Sequence, residues 1–278
     1  TLANANTTGV TLSAYRFTAT QESIRLIQVG LKLAGTASNT TSDLKKITLW
    51  DGSTQVAEAI FTGDYATVTM SSGYPDFVIA KDTDKVITIK GDIHKIGVSE
   101  PARPGHLIRV EVDPSAGDSS GDATRGVGIS SGSTVYSNAN TLTPSGGVRI
   151  FKAVPIIAKV ALPSSETTYS GNPSDKVLYR FSITAPSTGS IGLYKFTYSV
   201  ATSTSGTAAF QVTGLQAYGY SDSGFSNGAY GNQGGLLNVG TTNTNDGTAL
   251  FGITFDPIGQ GGTAEAIQIP AGSTRYFQ

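Results

Sequence analysis

The sequence predicts an all-β protein of two tandem β-sandwich domains, residues 1–153 and 154–278. A strand pair that occurs twice is the first observation. Residues 14–33, AYRFTATQESIRLIQVGLKL, find a second copy in residues 178–200, LYRFSITAPSTGSIGLYKFTYSV. Both copies open on Tyr-Arg-Phe, pass through a polar turn and rise into a second apolar run, which marks two related units in one chain. The second observation is the rhythm of short alternating runs divided by Gly, Asp and Pro turns. The third is composition. Charged residues make up 14% of the chain and 34 of its 278 residues are glycine, a profile that fits many short strands and turns of an exported β protein.

The elements follow in order. Residues 1–10 are small and polar, and are expected to be mobile or to pair with something external. Residues 11–18 form the first strand, with Leu12, Ala14 and Arg16 on one face and Tyr15 and Phe17 on the other. Residues 24–34 alternate more cleanly. Val29, Leu31 and Leu33 point one way and Gln28, Gly30 and Lys32 the other, as in a strand with one buried face. Residues 44–50 precede Trp50-Asp51-Gly52, a tight hairpin turn because Asp-Gly takes positive φ readily. Residues 55–61 return from it. Residues 77–79 and 85–89 flank a polar turn at 81–84. Residues 106–112 form one alternating strand, with Leu107 and Ile108 at its start and Val110 and Val112 on one face. A Gly/Ser/Asp loop follows at 113–126, and residues 127–136 and 148–154 close the domain.

Prolines 155, 163 and 173 punctuate the connection. They stiffen an extended chain, and residues 154–162 are predicted to become the first strand of domain two. Residues 212–220 match residues 44–50. A long turn region, 221–236, leads to runs at 249–255 and 264–269. Residues 267–278, IQIPAGSTRYFQ, align without a gap on residues 77–88, FVIAKDTDKVIT. Domain two therefore reads as a repeat of the first that stops in mid-strand, with no equivalent of residues 106–112. Either the natural chain continues past Gln278, or another molecule supplies the strand. Residues 1–12 of a neighbouring subunit are one donor, by strand addition and self-association.

Composition also bounds function. The formal net charge of −1 offers no basic field for nucleic acid. No run approaches the roughly 18 apolar residues that span a bilayer as a helix. Cysteine is absent, which removes thiol catalysis, Cys-ligated zinc and disulfides together. Such an exported chain must hold itself by packing, metal ions or assembly. Thr1 in place of a starting Met reads as a processed or trimmed start. The two histidines, His94 and His106, are expected to be solvent-exposed side chains, and no Gly-x-Ser-x-Gly elbow accompanies them.

Three sets of residues are candidate sites. Asp113, Asp118 and Asp122 share an oxygen-rich loop, and Asp82 and Asp84 share a turn. Calcium takes six to eight hard oxygen ligands of this kind, although neither set has EF-hand spacing and Asp is common in turns for backbone reasons. Tyr218, Tyr220, Phe225 and Tyr230 lie in the segment 218–236, YGYSDSGFSNGAYGNQGGL. Their rings can stack on carbohydrate or a partner while offering a polar edge; an irregular loop is the plainer reading. Asn6 and Asn39 begin Asn-Thr-Thr sequons for glycosylation.

The doubled Tyr-Arg-Phe strand, the Leu-Trp-Asp-Gly hairpin at residues 49–52 and the strand KVITIKGD at residues 85–92 resemble the tandem immunoglobulin-like modules of bacterial cell-surface proteins of S-layer and adhesin type. The antibody Cys…Trp…Cys pattern is missing, so the likeness is architectural. It implies export to the cell surface, a β-sandwich fold and a structural, non-enzymatic role in a surface layer or filament. An adhesin or carbohydrate-binding module using the Tyr-rich loop is the alternative. The resemblance carries over neither catalytic residues nor calcium ligands.

Overall fold

The computed structural model describes residues 1–35, 38–70, 73–115, 122–137, 141–144, 146–171, 173–201, 212–230, 234–238, 248–256 and 265–278. These residues are nearly all β, in several antiparallel sheets of sandwich type with no barrel; the helical content is two single 3-10 turns, Thr41–Asp43 and Ser164–Glu166. The chain divides into unit one, Thr1–Lys152, and unit two, Ala153–Gln278.

Unit one contains β1 (Leu2–Asn4), β2 (Val10–Ala19), β3 (Ile24–Leu33), β4 (Leu44–Asp51), β5 (Thr54–Ala59), β6 (Tyr65–Thr69) and β7 (Phe77–Ile79). It continues with β8 (Thr83–Ile93), β9 (Leu107–Ile108), β10 (Val110–Val112), β11 (Arg125–Gly128), β12 (Thr134–Tyr136) and β13 (Val148–Phe151). One sheet has the order β2-β8-β4-β5. The facing sheet is built on β3, which carries β6 and β7 along one side and β10 and β11 along the other, with β12 outside β11. Alternation gives each sheet an apolar inner face. Ile47, Leu49, Ile87 and Ile89 of the first meet Val29, Leu31, Leu33 and Val110 of the second in one core. Each such side chain, wholly removed from water, contributes about 1.5–3 kcal/mol.

Three expectations change here. The segment expected to be mobile begins as β1, paired in parallel with β13, and Thr1 donates from its amino group to the Gly147 carbonyl at 3.1 Å. Leu12 is buried alongside Tyr15 rather than facing out with Ala14 and Arg16, because a bulge shifts the β2–β8 register between Thr11 and Ser13. Leu12 then fills the space above Gly91, where an added Cβ would lie 2.7 Å from its Cδ1 atom. The run at 106–112 is two strands. It breaks at Arg109, so that β9 pairs with β13 and β10 pairs with β3; the strand changes sheets while Ile108, Val110 and Val112 all stay buried.

Unit two contains β14 (Ile156–Val160), β15 (Arg180–Thr184), β16 (Ile191–Leu193), β17 (Lys195–Ala201), β18 (Gly219–Tyr220), β19 (Thr248–Thr254), β20 (Ile267–Ile269) and β21 (Thr274–Phe277). One sheet has the order β14-β15-β21-β18, and β16–β20 and β17–β19 form two further pairs. The pairing repeats that of unit one. Ile191 faces Ile269 as Ile24 faces Ile79, and the Phe255 amide donates to the Tyr194 carbonyl as Met70 donates to Ile27. The first strands obey the same rule with a twist. Phe181 faces Phe277 at the register where Tyr15 faces Ile87. Phe181 thus takes the place of Tyr15, not of Phe17 as the Tyr-Arg-Phe alignment implies. A two-residue slip keeps every side chain on its face, so the motif aligns one pleat out of step. The core of this unit is aromatic. Phe181, Phe255 and Phe277 are buried, with Phe196 and Tyr198 packed against them, mostly edge to face.

Candidate functional site

The sheet β14-β15-β21-β18 presents the aromatic group of the Tyr-rich segment. Into β18 the chain runs Tyr218, Gly219, Tyr220, and this alternation decides which predicted residues meet. Tyr218 and Tyr220 stack at 6.4 Å between ring centroids, Tyr220 meets Phe225 edge-on at 5.7 Å, and Phe225 meets Tyr276 at 6.0 Å. Tyr230 does not join this row. Its ring lies over Gly219, against the core side, and its hydroxyl donates to the Gln268 carbonyl at 3.0 Å. Burial raises the pKa of Tyr230.

Sequence reading missed three members of the row. The Arg180 guanidinium sits 4.1 Å from the centre of the Phe225 ring, a cation–π arrangement. Its Nε donates to Gln278 Oε1 at 3.1 Å, and Gln278 Nε2 donates to the Tyr220 hydroxyl at 2.9 Å. Burial raises the Tyr220 pKa, while the bond from Gln278 works against it. Arg180 is the centre of the second Tyr-Arg-Phe, and Tyr276 pairs with Tyr220 across β21–β18. The strand alignment was the signal that would have brought Arg180 and Tyr276 to the loop.

The loop itself is an organised turn. The Asp222 carboxylate accepts from the Asn227 amide at 2.6 Å and from the Ser226 amide and hydroxyl, the latter at 2.8 Å. These bonds, the Asn227 amide foremost, lower the Asp222 pKa. Phe225 is held at φ 57°, left-handed backbone that is uncommon for a non-glycine residue. Two stacked tyrosines, Tyr220 buried and Tyr218 half-buried, with a half-buried phenylalanine and a cation form an aromatic strip with hydroxyl and amide edges. Such a strip binds flat, partly polar surfaces by stacking and hydrogen bonding.

Asp82, Asp84 and Asp113 have partners already. Asp84 pairs with Arg16 at 3.3 Å. Asp82, at φ 56°, accepts from the Gln21 amide at 3.4 Å. Asp113 is buried, accepts from the Ser115 amide at 2.9 Å and lies 3.9 Å from Lys32 Nζ. Asp122 belongs to the described residues and Asp118 lies outside them. Among the described residues no three His, Asp or Glu side chains gather as a metal-binding group. Asn6 is exposed, with its Oδ1 accepting from Lys45, whereas Asn39 is half-buried and donates its side-chain amide to the Arg109 carbonyl at 3.3 Å. The Asn39 amide nitrogen, the atom a glycan would take, is therefore engaged in the fold.

One polar centre had no sequence signal of function. His106, expected to be exposed, has 21% of its side chain accessible and places Nδ1 2.9 Å from Oδ2 of Asp43, which is fully buried. The same carboxylate accepts from the Thr40 amide at 2.8 Å. This capping box of the turn Thr41–Asp43 joins the turn to the start of β9. The Thr-x-x-Asp spacing at Thr40–Asp43 was the available cue. A carboxylate-oriented imidazole is one part of an acid–base site. Here the carboxylate spends itself on backbone and ring donors that close a loop, which is structural work.

Comparison of the chain with family models gives no match, and comparison with curated proteins gives none either. Among the described residues no helix is long and apolar enough to cross a membrane.

Proposed function

We propose that the chain is a non-enzymatic structural subunit of an extracellular, cell-surface assembly, a surface layer or a filament. The observation that carries this reading is the internal duplication: one strand-pairing scheme used twice, in register, in a chain of low charge without cysteine. Repeated β modules of this kind suit end-to-end structural work, in which each unit supplies its own core. The polar ties of unit one support the same reading, since the buried Asp43 carboxylate accepts from the Thr40 amide and the His106 ring and the Tyr15 hydroxyl donates to the Val110 carbonyl. Electron microscopy of the native material tests it. Ordered lattices or fibres are the expected result, and dispersed single particles under native conditions would overturn it.

A second reading, an adhesin or carbohydrate-binding module, is favoured by one observation: the row Tyr218, Tyr220, Phe225 and Tyr276 with Arg180 against it. A glycan array decides it. Binding that disappears in Tyr218→Ala, a ring on the half-buried rim, supports this reading; an array without binding removes it.

A further inference from the structure

We propose that unit two is an acceptor for a β-strand, and that the strand it takes is β14 of a second copy of this chain. The inference deepens the assembly reading and rests on it for its setting. The acceptor edge is identified by comparing the two units. β16 and β17 repeat β3, and their pairings with β20 and β19 repeat those of β3 with β7 and β6. Along its other side β3 carries β10 and β11. Among the described residues no strand lies along that side of β16 and β17.

The backbone and the side chains of unit two both register the difference. In an antiparallel strand, alternate residues turn their N–H and C=O groups to opposite neighbours. The Tyr194 carbonyl accepts from Phe255, beside β19. By parity Thr197, Ser199 and Ala201 turn their groups to the side away from β19. In unit one their counterparts are Gly30, Lys32 and Ala34; the Gly30 carbonyl accepts from Asp113 and the Ala34 amide donates to Arg109, at the two ends of β10. Leu26, Val29, Leu31 and Leu33 are buried in that unit, whereas their counterparts Leu193, Phe196, Tyr198 and Val200 are half-buried. Tyr15 donates its hydroxyl to the Val110 carbonyl of β10 at 2.7 Å, and its counterpart is Phe181, which has no hydroxyl to donate. The larger rings of Phe196 and Tyr198 pack against the core from within, so the described core closes without a strand along that edge.

The occupant is identified by pattern and exposure. The strand that fills the place in unit one, β10, presents Val110 and Val112 at alternate positions, both buried. β14 presents Ile156, Ala158 and Val160 at the same spacing. Among the described residues β14 pairs with β15 alone, and Ile156 and Ile157 are 65% and 66% exposed. An exposed apolar edge strand is a template for pairing with another chain. Addition of β14 to the β17 edge of the next copy joins two different surfaces, a head-to-tail contact that propagates when it does not close.

The test uses the full-length chain and a synthetic peptide of residues 154–162. In dilute monomer the amides of Thr197, Ser199 and Ala201 should exchange rapidly with solvent. Peptide at about 100 times its dissociation constant should slow them about 100-fold, since bound and free edges then stand in about that ratio. A peptide with Asp at the positions of Ile156 and Val160 should not. The chain variant Ile156→Asp with Val160→Asp should remain monomeric. Protection of the three amides already present in the dilute monomer, or exchange unchanged by the peptide, would overturn the proposal. Lattices that persist in the double variant would overturn it too and leave the structural reading standing. A chain that forms no lattice, yet gains peptide protection at these amides, would uphold the acceptor edge and remove the structural reading.

Discussion

Tyr15→Phe is the sharpest test of how the two sheets of unit one are joined. The Tyr15 hydroxyl, on β2, crosses the sandwich to the Val110 carbonyl at 2.7 Å and reaches the Leu142 carbonyl at 3.1 Å. The Val110 carbonyl points away from β3, because the bonds at Arg109 and Asp113 place the odd residues of this stretch on the β3 side. Removal of the hydroxyl therefore leaves a buried acceptor without its donor, at about 1–3 kcal/mol. Taking about 2 kcal/mol, and about 2–4 °C per kcal/mol for a unit of this size, the melting temperature should fall by about 4–8 °C. Trp50, the one tryptophan, lies on β4 and reports on unit one by fluorescence. A second arm uses pH. Burial pushes the Tyr15 pKa from 10.0 up to about 12. The raised value means that the fold favours the neutral ring; its stabilisation is whole below pH 10 and is lost as pH rises toward 12. A rise of that size corresponds to about 3 kcal/mol. The gap between wild type and Tyr15→Phe should thus be widest near pH 8 and close by about pH 12. A variant that unfolds together with wild type at pH 8, or a gap constant from pH 8 to 12, would refute the reasoning.

Asp43→Ala removes the acceptor for Thr40 and His106 and should cost unit one about 3 kcal/mol in a denaturant melt followed at Trp50; a loss under about 0.5 kcal/mol, the scale of an ordinary surface substitution, would contradict the buried tie. Phe277→Ala empties a wholly buried position stacked on Phe181 and edge-on to Phe196. It should destabilise unit two by about 3–5 kcal/mol, seen as faster amide exchange in β15 and β17. Excess chelator should leave the melting curve in place, because Asp82, Asp84 and Asp113 already have partners; a clear drop would mean a metal at the acidic loops.

The fold class was legible because it rests on local rules. Alternation in residues 28–33 gave the buried face of β3, and the connection 154–162 gave β14, framed by its prolines. The failures have physical causes. A single bulge at Leu12 reverses which residues face inward, and bulges leave no reliable mark in one sequence. The break at Arg109 was hidden because both halves of residues 106–112 bury alternate residues, although in different sheets. The Tyr-Arg-Phe alignment lay one pleat out of step because period-2 patterns match equally well after a slip of two. β1 and β6 were not foreseen: β1 is three residues long, and β6 carries the plain sequence YATVT. The aromatic row was half visible. Tyr218, Tyr220 and Phe225 are close in sequence, whereas Arg180, Tyr276 and Gln278 arrive through strand pairing.

The parallel pair β1–β13 also sets how unit one carries load. In the proposed surface assembly, a load applied across this unit between β1 and β13 would act on the start of one strand and the end of the other. Because the two strands run in the same direction, with Leu2 beside Arg149 and Asn4 beside Phe151, such tension slides them past each other. The bonds from Arg149 to Thr1 and from Ala5 to Phe151 are then loaded together and must fail together. Strands arranged to peel would break one bond at a time. Against a load of that direction, the pair β1–β13 would act as a clamp.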